Sequence, residues 1–376
     1  MPLFAWVAIV VSSIAAMPGN VLPVLTTLLE RHHHLDEATV GYLISVNTFA
    51  GLLTSATGPY WIHRVRYRPV MATCFAIHAV CLAGLGYVHG MAPLIVLQAV
   101  LGVVALVIAS VVQTIFAQLP RPERAFGIKI STDMTFAALF LAAVPVTRIG
   151  LPGFVALLAA PFVLSAALSR LLPRNLADGE PRTAAAPAGA AAPISVWIAL
   201  LAMVAFNVGG LGMWTFAGHF ATSAGLSEDA TANTIAVGLV AGIAGALGAA
   251  AYAGRGSIVP ELVAGIGFLA SMPALALAHT ALEFSVVNAM WNVCWNFFAP
   301  FLVGIVARRD PTRRLSTLIP AAVMVGGIVG PPLTGTLLHA TSNLSTALTM
   351  MAIAAPSIAV YAVLMRKPVP ITSLAR

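Results

Sequence analysis

The chain is 376 residues long, 60% hydrophobic and only 8% charged, with a mean hydropathy of +0.95. A water-soluble domain carries about a quarter charged residues, so this composition excludes a soluble enzyme and turns the surface toward lipid. The formal charge of +7 and the pI near 9.8 read as basic loops that orient a membrane protein rather than as a nucleic-acid footprint.

A membrane-spanning helix needs about 20 mostly apolar residues, and backbone in hydrocarbon must satisfy its own hydrogen bonds. Twelve stretches qualify, which predicts an all-α membrane protein. The first, Leu3–Leu29, has no charged leader and exceeds signal-peptide length, so it is expected as a retained helix. Pro18-Gly19-Asn20 predicts a kink in it. The second, Glu37–Pro59, carries Asn47, expected to be structural. It runs into the basic loop Gly58-Pro-Tyr-Trp-Ile-His-Arg-Val-Arg-Tyr-Arg68. Pro69–Val88 and Pro93–Gln118 follow, the latter with Gln98 four residues before Gly102.

The fifth span, Phe126–Thr147, holds Asp133, the one carboxylate placed well inside a span, with Lys129 one turn earlier. A carboxylate at membrane depth is expensive, and two roles stay open. Asp133 is a proton-coupling candidate, or it is held by Lys129 in a structural pair. Gly153–Leu172 closes the first six spans. The connection Pro173–Pro193 has Ala/Pro/Gly composition with no apolar period, as a flexible linker does. The expected domains are therefore residues 1–172, a linker at 173–193, and residues 194–376.

The seventh span, Ile194–Thr222, places Asn207 near mid-membrane, then Gly209, Gly210 and Gly212, with Trp214 and His219 toward the outer end. Asn207 is read equally as a ligand contact or as interhelical glue, and His219 as a surface residue. Asp229–Ala253 and Ile258–His279 are the eighth and ninth spans. In the tenth, Glu283–Ala307, the residues Asn288, Trp291, Asn292, Trp295 and Asn296 fall on one arc of roughly 140° at about 100° per residue. Amides and indoles together are poor lipid-facing chemistry; they suit a polar solute that also carries a ring, the alternative being interhelical bonding by the asparagines with tryptophan as filler. Leu315–Leu338 contains Gly326-Gly-Ile-Val-Gly330-Pro331-Pro332 and Gly335, where small residues let backbones approach and proline bends the helix. Leu344–Met365 is the twelfth.

Seventeen of the 19 Lys and Arg residues fall on one side: Arg64, Arg66, Arg68, Arg121, Arg124, Lys129, Arg170, Arg174, Arg182, Arg255, Arg308, Arg309, Arg313, Arg314, Arg366, Lys367 and Arg376. The other side keeps Arg31 and Arg148 with six acids, Glu30, Asp36, Glu37, Glu228, Asp229 and Glu283. By the positive-inside rule both termini are cytoplasmic, in a bacterial inner membrane. The three cysteines (Cys74, Cys81, Cys294) sit in apolar runs with no metal-ligand spacing, and no HExxH, GxSxG or Walker-type loop is present. No metal, cofactor or catalytic residue is expected.

Six plus six spans around a central linker, the Gly58–Arg68 loop and the glycine-proline run of the eleventh span together resemble the major facilitator superfamily. The resemblance covers the whole chain in layout, although the acidic position of the family's loop falls on Ile62 or His63. The Arg that related exporters carry in the fourth helix is replaced by Gln98. The GxxxGP element, borne by the family's antiporters on helix 5, lies here on helix 11.

The resemblance implies two pseudo-symmetric six-helix bundles and alternating access. It also implies a cavity lined by helices 1, 4, 7 and 10, which adds Asn20 and Gln98 to the substrate-binding candidates Asn288, Trp291, Asn292, Trp295, Asn296 and Asn207. A monomeric carrier of a small neutral or cationic organic solute is expected, a proton-coupled exporter by analogy. The rival readings are an importer or facilitator for a sugar-like nutrient and a non-transporting membrane receptor. No intramembrane Arg cluster offers a clamp for phosphate or dicarboxylates.

Overall fold

The computed structural model describes residues 1–62, 64–119, 122–174, 193–253, 257–310 and 315–366. His63, Arg121, Arg182, Arg255, Arg313, Arg314, Lys367 and Arg376, and the linker between residues 175 and 192, lie outside the described residues.

The first span is two helices, α1 (Leu3–Asn20) and α2 (Leu22–His33), broken at Val21. Pro18 lies inside α1 and Pro23 in the first turn of α2, so the ring that cannot continue the hydrogen-bond ladder of one helix is close to the ring that starts the next. Then come α3 (Glu37–Trp61), α4 (Tyr67–Gly84), α5 (Met91–Ala117), α6 (Pro122–Ala143) and α7 (Val146–Leu168). Here the boundary of the fifth span needs correction, since Pro145 ends it early. A single turn from Val146 precedes Gly150, where the helix breaks, and the body of the sixth span follows that break, close to the expected start at Gly153. Gly150, at φ 57°, lets the chain pass through a kink that a residue with a Cβ resists.

The second set begins with another broken span, α8 (Ile194–Thr215) and α9 (Ala217–Ser223). It continues with α10 (Glu228–Tyr252), α11 (Val259–Leu277), α12 (Ala281–Arg309), α13 (Ile319–Ala340) and α14 (Asn343–Arg366).

Among the described residues, eleven helices are long and apolar enough to cross a membrane. The second span, α3, sits at the margin of that group, level with α4, because Asn47 and a series of Ser and Thr offset its apolar residues. Three of its six Ser and Thr hydroxyls are satisfied within the helix: Thr48, Thr54 and Thr57 each donate to the carbonyl four residues earlier at 2.9–3.1 Å.

The helices form two six-helix bundles, each counting its broken first span as one. α3 packs on α5, α4 on α7 and α1 on α6; in the second bundle α10 packs on α12, and α8 on α13 and α14. Two seams join the bundles, α3 with α13 and α6 with α10. Aromatic rings fill both cores, with Phe75, Phe154 and Phe162 in one and Phe206, Phe268 and Phe298 in the other. The peripheral helices α4, α7, α11 and α14 turn Val80, Val163, Val263 and Val363 outward at 51–72% exposure, a surface suited to lipid rather than water.

At the end carrying the acid-rich loops the bundles are tied together. Thr26 donates to the carbonyl of Thr215 at 2.8 Å, the Trp214 indole to that of Gly19 at 3.1 Å, and Ser45 to that of Ile328 at 2.7 Å. Arg31 pairs with Glu228 at 2.5 Å, and Asp229 accepts from the Thr147 amide at 3.0 Å. Glu37 lies 3.5 Å from His219 and 3.9 Å from His339, so one carboxylate of the first bundle faces two imidazoles of the second.

Candidate functional site

A cavity of about 340 Å3 lies between the bundles. Its wall from the first bundle includes Asn20, Thr48 and Met134, and from the second Trp214, Trp291, Asn292, Trp295 and Asn296. No Asp, Glu, Lys or Arg is among its described lining residues. Mostly apolar walls with a few convergent polar groups are the usual construction of a small-molecule site.

α12 supplies the chemistry. Trp291 and Trp295, one turn apart, lie nearly parallel at 9° with ring centroids 6.3 Å apart. Phe206 and Phe268 hold Trp295 from behind at 4.8 and 5.2 Å. Gly210 of α8 makes room for that indole, since a Cβ there would stand 1.5 Å from a ring carbon. The platform is therefore fixed by packing before any ligand arrives, which lowers the ordering cost of binding.

The amides form a ladder down the same helix. Asn296 donates to the carbonyl of Asn292 at 2.9 Å, Asn292 to that of Asn288 at 2.9 Å, and Asn288 across to the carbonyl of Thr234 at 2.8 Å. Each amide nitrogen is engaged by backbone, while the side-chain oxygens of Asn292 and Asn296 accept no bond from a described residue. They are left as acceptors beside the indoles.

The eight sequence candidates divide by location. Trp291, Asn292, Trp295, Asn296 and Asn20 line the cavity. Asn288, 1% exposed, sits against Gly238 of α10, away from it. Asn207 is 5% exposed, donates to the Met203 carbonyl at 2.8 Å, and lies under Gly326, whose Cβ would come within 2.3 Å of it. The glycine run of the eleventh span thus seats α13 on α8. Gln98 is buried within the first bundle, where it accepts from Asn47 at 3.1 Å. Asp133 and Lys129 form an ion pair of 2.5 Å, with the second oxygen of Asp133 buried and unpartnered; neither lines the cavity, although Met134 does.

Two features escaped the sequence reading. Glu261, three residues into the ninth span, is 5% exposed and accepts from the buried Tyr361 hydroxyl of α14. His78 is buried in α4. An acid in the first turn of a span looks like an interfacial residue, and only the neighbouring helix reveals that it faces inward. The three cysteines are free, and no cluster that could hold a metal occurs among the described residues.

The sequence matches the model of the Major Facilitator Superfamily over residues 6–319. No curated protein matches it. Among solved structures it is similar to a bacterial homolog of the human lysosomal transporter Spinster in an inward-facing, unoccupied conformation. That likeness has a TM-score of 0.73 and 15% identity and covers 96% of each chain. It is also similar to the nucleoside transporter NupG (TM-score 0.71, 12% identity, 98% of this chain and 100% of that one). A D-xylose-proton symporter matches with a TM-score of 0.71 and 13% identity over 97% of each. At these identities the likeness establishes the fold.

Proposed function

The chain belongs to the major facilitator superfamily, a multi-pass membrane transporter, and from that premise we propose that it carries a small, uncharged organic solute with an aromatic or hydroxylated part across the inner membrane by alternating access. The observation that carries this reading is the α12 face. Two packed indoles and two unspent amide oxygens front one cavity between the bundles, without a formal charge among the described lining residues. Rings stack on the indoles and hydroxyls donate to the amides. A lone ammonium or carboxylate finds no counter-charge there, which narrows the expected solutes toward the neutral class.

With the basic loops assigned to the cytoplasm by the positive-inside rule, the tied end faces the periplasm in this reading, which makes the carrier closed on the outside. Residues 1–172 and 194–376 are the two bodies whose rocking would exchange this closure for one on the other side, and a single copy contains the whole cavity. Export in exchange for protons, with Asp133 as the coupling group, is the first reading of direction and energy source. A second, facilitated diffusion without ion coupling, is favoured by the Lys129–Asp133 pair, which gives the carboxylate a permanent counter-charge, and by the neutral Gln98 on the fourth span.

Counterflow in proteoliposomes tests both. Labelled phenyl β-D-glucoside should exchange against unlabelled solute, and an imposed pH gradient should drive net accumulation only if protons are coupled. Absence of counterflow across a panel of neutral aromatic and hydroxylated solutes, with a partner protein binding instead, would move the chain to the receptor class.

A further inference from the structure

A second chamber of about 270 Å3 lies inside the first bundle, walled by α1 to α5. It adjoins the main cavity, with which it shares Gly19, Leu22, Ile44 and Thr48. Most of its wall is aliphatic, but three polar side chains from three different helices converge there: Asn47, His78 and Gln98.

Part of their hydrogen-bonding capacity is unspent. The His78 ring is 3% exposed and stacked on Phe162 at 4.3 Å and 15°; its Nδ1 is buried without a partner, and neither ring nitrogen bonds a described residue. The Asn47 amide donates to both the backbone and side-chain oxygens of Gln98 at 3.1 Å. That leaves the Asn47 oxygen as an acceptor and the Gln98 amide nitrogen as a donor. Buried polar groups are ordinarily paired, and an unpaired one is destabilising. A leucine at position 78 would serve packing better.

We propose that this chamber is a side pocket of the transport site, receiving the uncharged hydrogen-bonding end, a hydroxyl or carboxamide, of a solute whose ring rests on Trp291 and Trp295. The proposal rests on the reading of the main cavity as the transport site. The class of the bound end follows from the wall. An imidazole, a carbonyl oxygen and an amide N–H together demand a group that both donates and accepts, whereas a carboxylate only accepts and an ammonium only donates. No Asp, Glu, Lys or Arg is among the chamber's described lining residues to neutralise either. Gly19 lines both chambers, and an added Cβ there would meet no atom within 4 Å, so it is the position at which a larger side chain can narrow the passage this proposal requires.

The test titrates the purified full-length protein with solutes built on one phenyl core, reading intrinsic tryptophan fluorescence. The series is toluene, phenyl β-D-glucoside, 3-phenylpropionamide, 3-phenylpropanoate and 3-phenylpropylamine. The glucoside and the amide should bind about tenfold more tightly than toluene, the effect of one or two hydrogen bonds, and the two charged members should gain nothing. In His78→Phe, and separately in Gly19→Leu, the advantage of the neutral ends over toluene should shrink to about twofold or less. Should His78→Phe fail to fold, Gly19→Leu decides alone. Neutral ends that bind no better than toluene, charged ends that bind equally well, or an advantage that survives Gly19→Leu would each overturn the side pocket while leaving the indole site standing. If no member of the series binds, toluene included, the main-cavity reading fails as well.

Discussion

The indole N–H of Trp214 donates to the backbone carbonyl of Gly19 over 3.1 Å, joining the point where α8 gives way to α9 to the point where α1 gives way to α2. Both bundles break their first helix at this level, and the freed backbone groups become handles for the opposite bundle; the Thr26–Thr215 bond uses the same device. Trp214→Phe keeps the ring and removes the donor. One lost hydrogen bond of about 1 kcal/mol shifts a two-state equilibrium about fivefold. A cysteine placed at Thr48, in a background without the native cysteines, should react about fivefold faster with an impermeant thiol reagent added from the outside. An unchanged rate would deny the bond any part in closure.

Asn296→Leu tests the amide face with little change in volume. Its nitrogen bonds only the Asn292 carbonyl among described residues, so the melting temperature should move by no more than a few degrees. Binding of phenyl β-D-glucoside should weaken about five- to tenfold. Trp295→Ala is a poorer probe: the indole is packed against Phe206 and Phe268, and its removal should destabilise the protein by roughly 3 kcal/mol or more. Equal affinity in Asn296→Leu and the parent protein would take this residue out of the site.

Asp133→Asn separates coupling from structure. If the carboxylate carries the proton, the variant loses gradient-driven accumulation in proteoliposomes and retains exchange. If the Lys129 pair is structural, both activities fall together, because the variant leaves an ammonium without its partner at membrane depth. The double variant Lys129→Gln/Asp133→Asn should then recover thermal stability and exchange. Failure of the double variant to recover either would reject the structural account.

Asp36 caps α3 by accepting the Thr39 amide at 2.7 Å, and these bonds hold its carboxyl below the ordinary value of 3.8. A depressed acid contributes its stabilisation in full above the unfolded value and loses it as pH falls through the lower folded one. Asp36→Ala should therefore destabilise the first turn of α3 by about 1 kcal/mol at neutral pH, seen as faster amide exchange at Thr39 and Val40. The difference from the parent should vanish in strong acid. A difference that persists there would assign the effect to something other than the carboxylate.

Periodicity made the α12 face legible, because Trp and Asn at three- and four-residue intervals mark one side of a helix. It did not make depth legible. Asn288 and Asn292 share that side and both abut Gly238 of α10, yet only Asn292 also fronts the cavity. Pro18 announced the break in the first span, whereas the break inside α7 turned on the backbone of a single residue, Gly150. Asn207 looked the same as a ligand contact or as a packing group until Gly326 was seen lying over it. His78 is a single polar residue in an apolar run, so its meaning depended on Asn47 and Gln98 arriving from other helices.

The α3–α13 seam bears on how the protein is made. Ser45 finds its acceptor, the carbonyl of Ile328, 283 positions downstream, and α13 is synthesised long after the helix it covers. Translation of the carboxyl-terminal half is then a step in covering the amino-terminal half, and a ribosome stalled before α13 would hold a first bundle whose α3 face still awaits its partner.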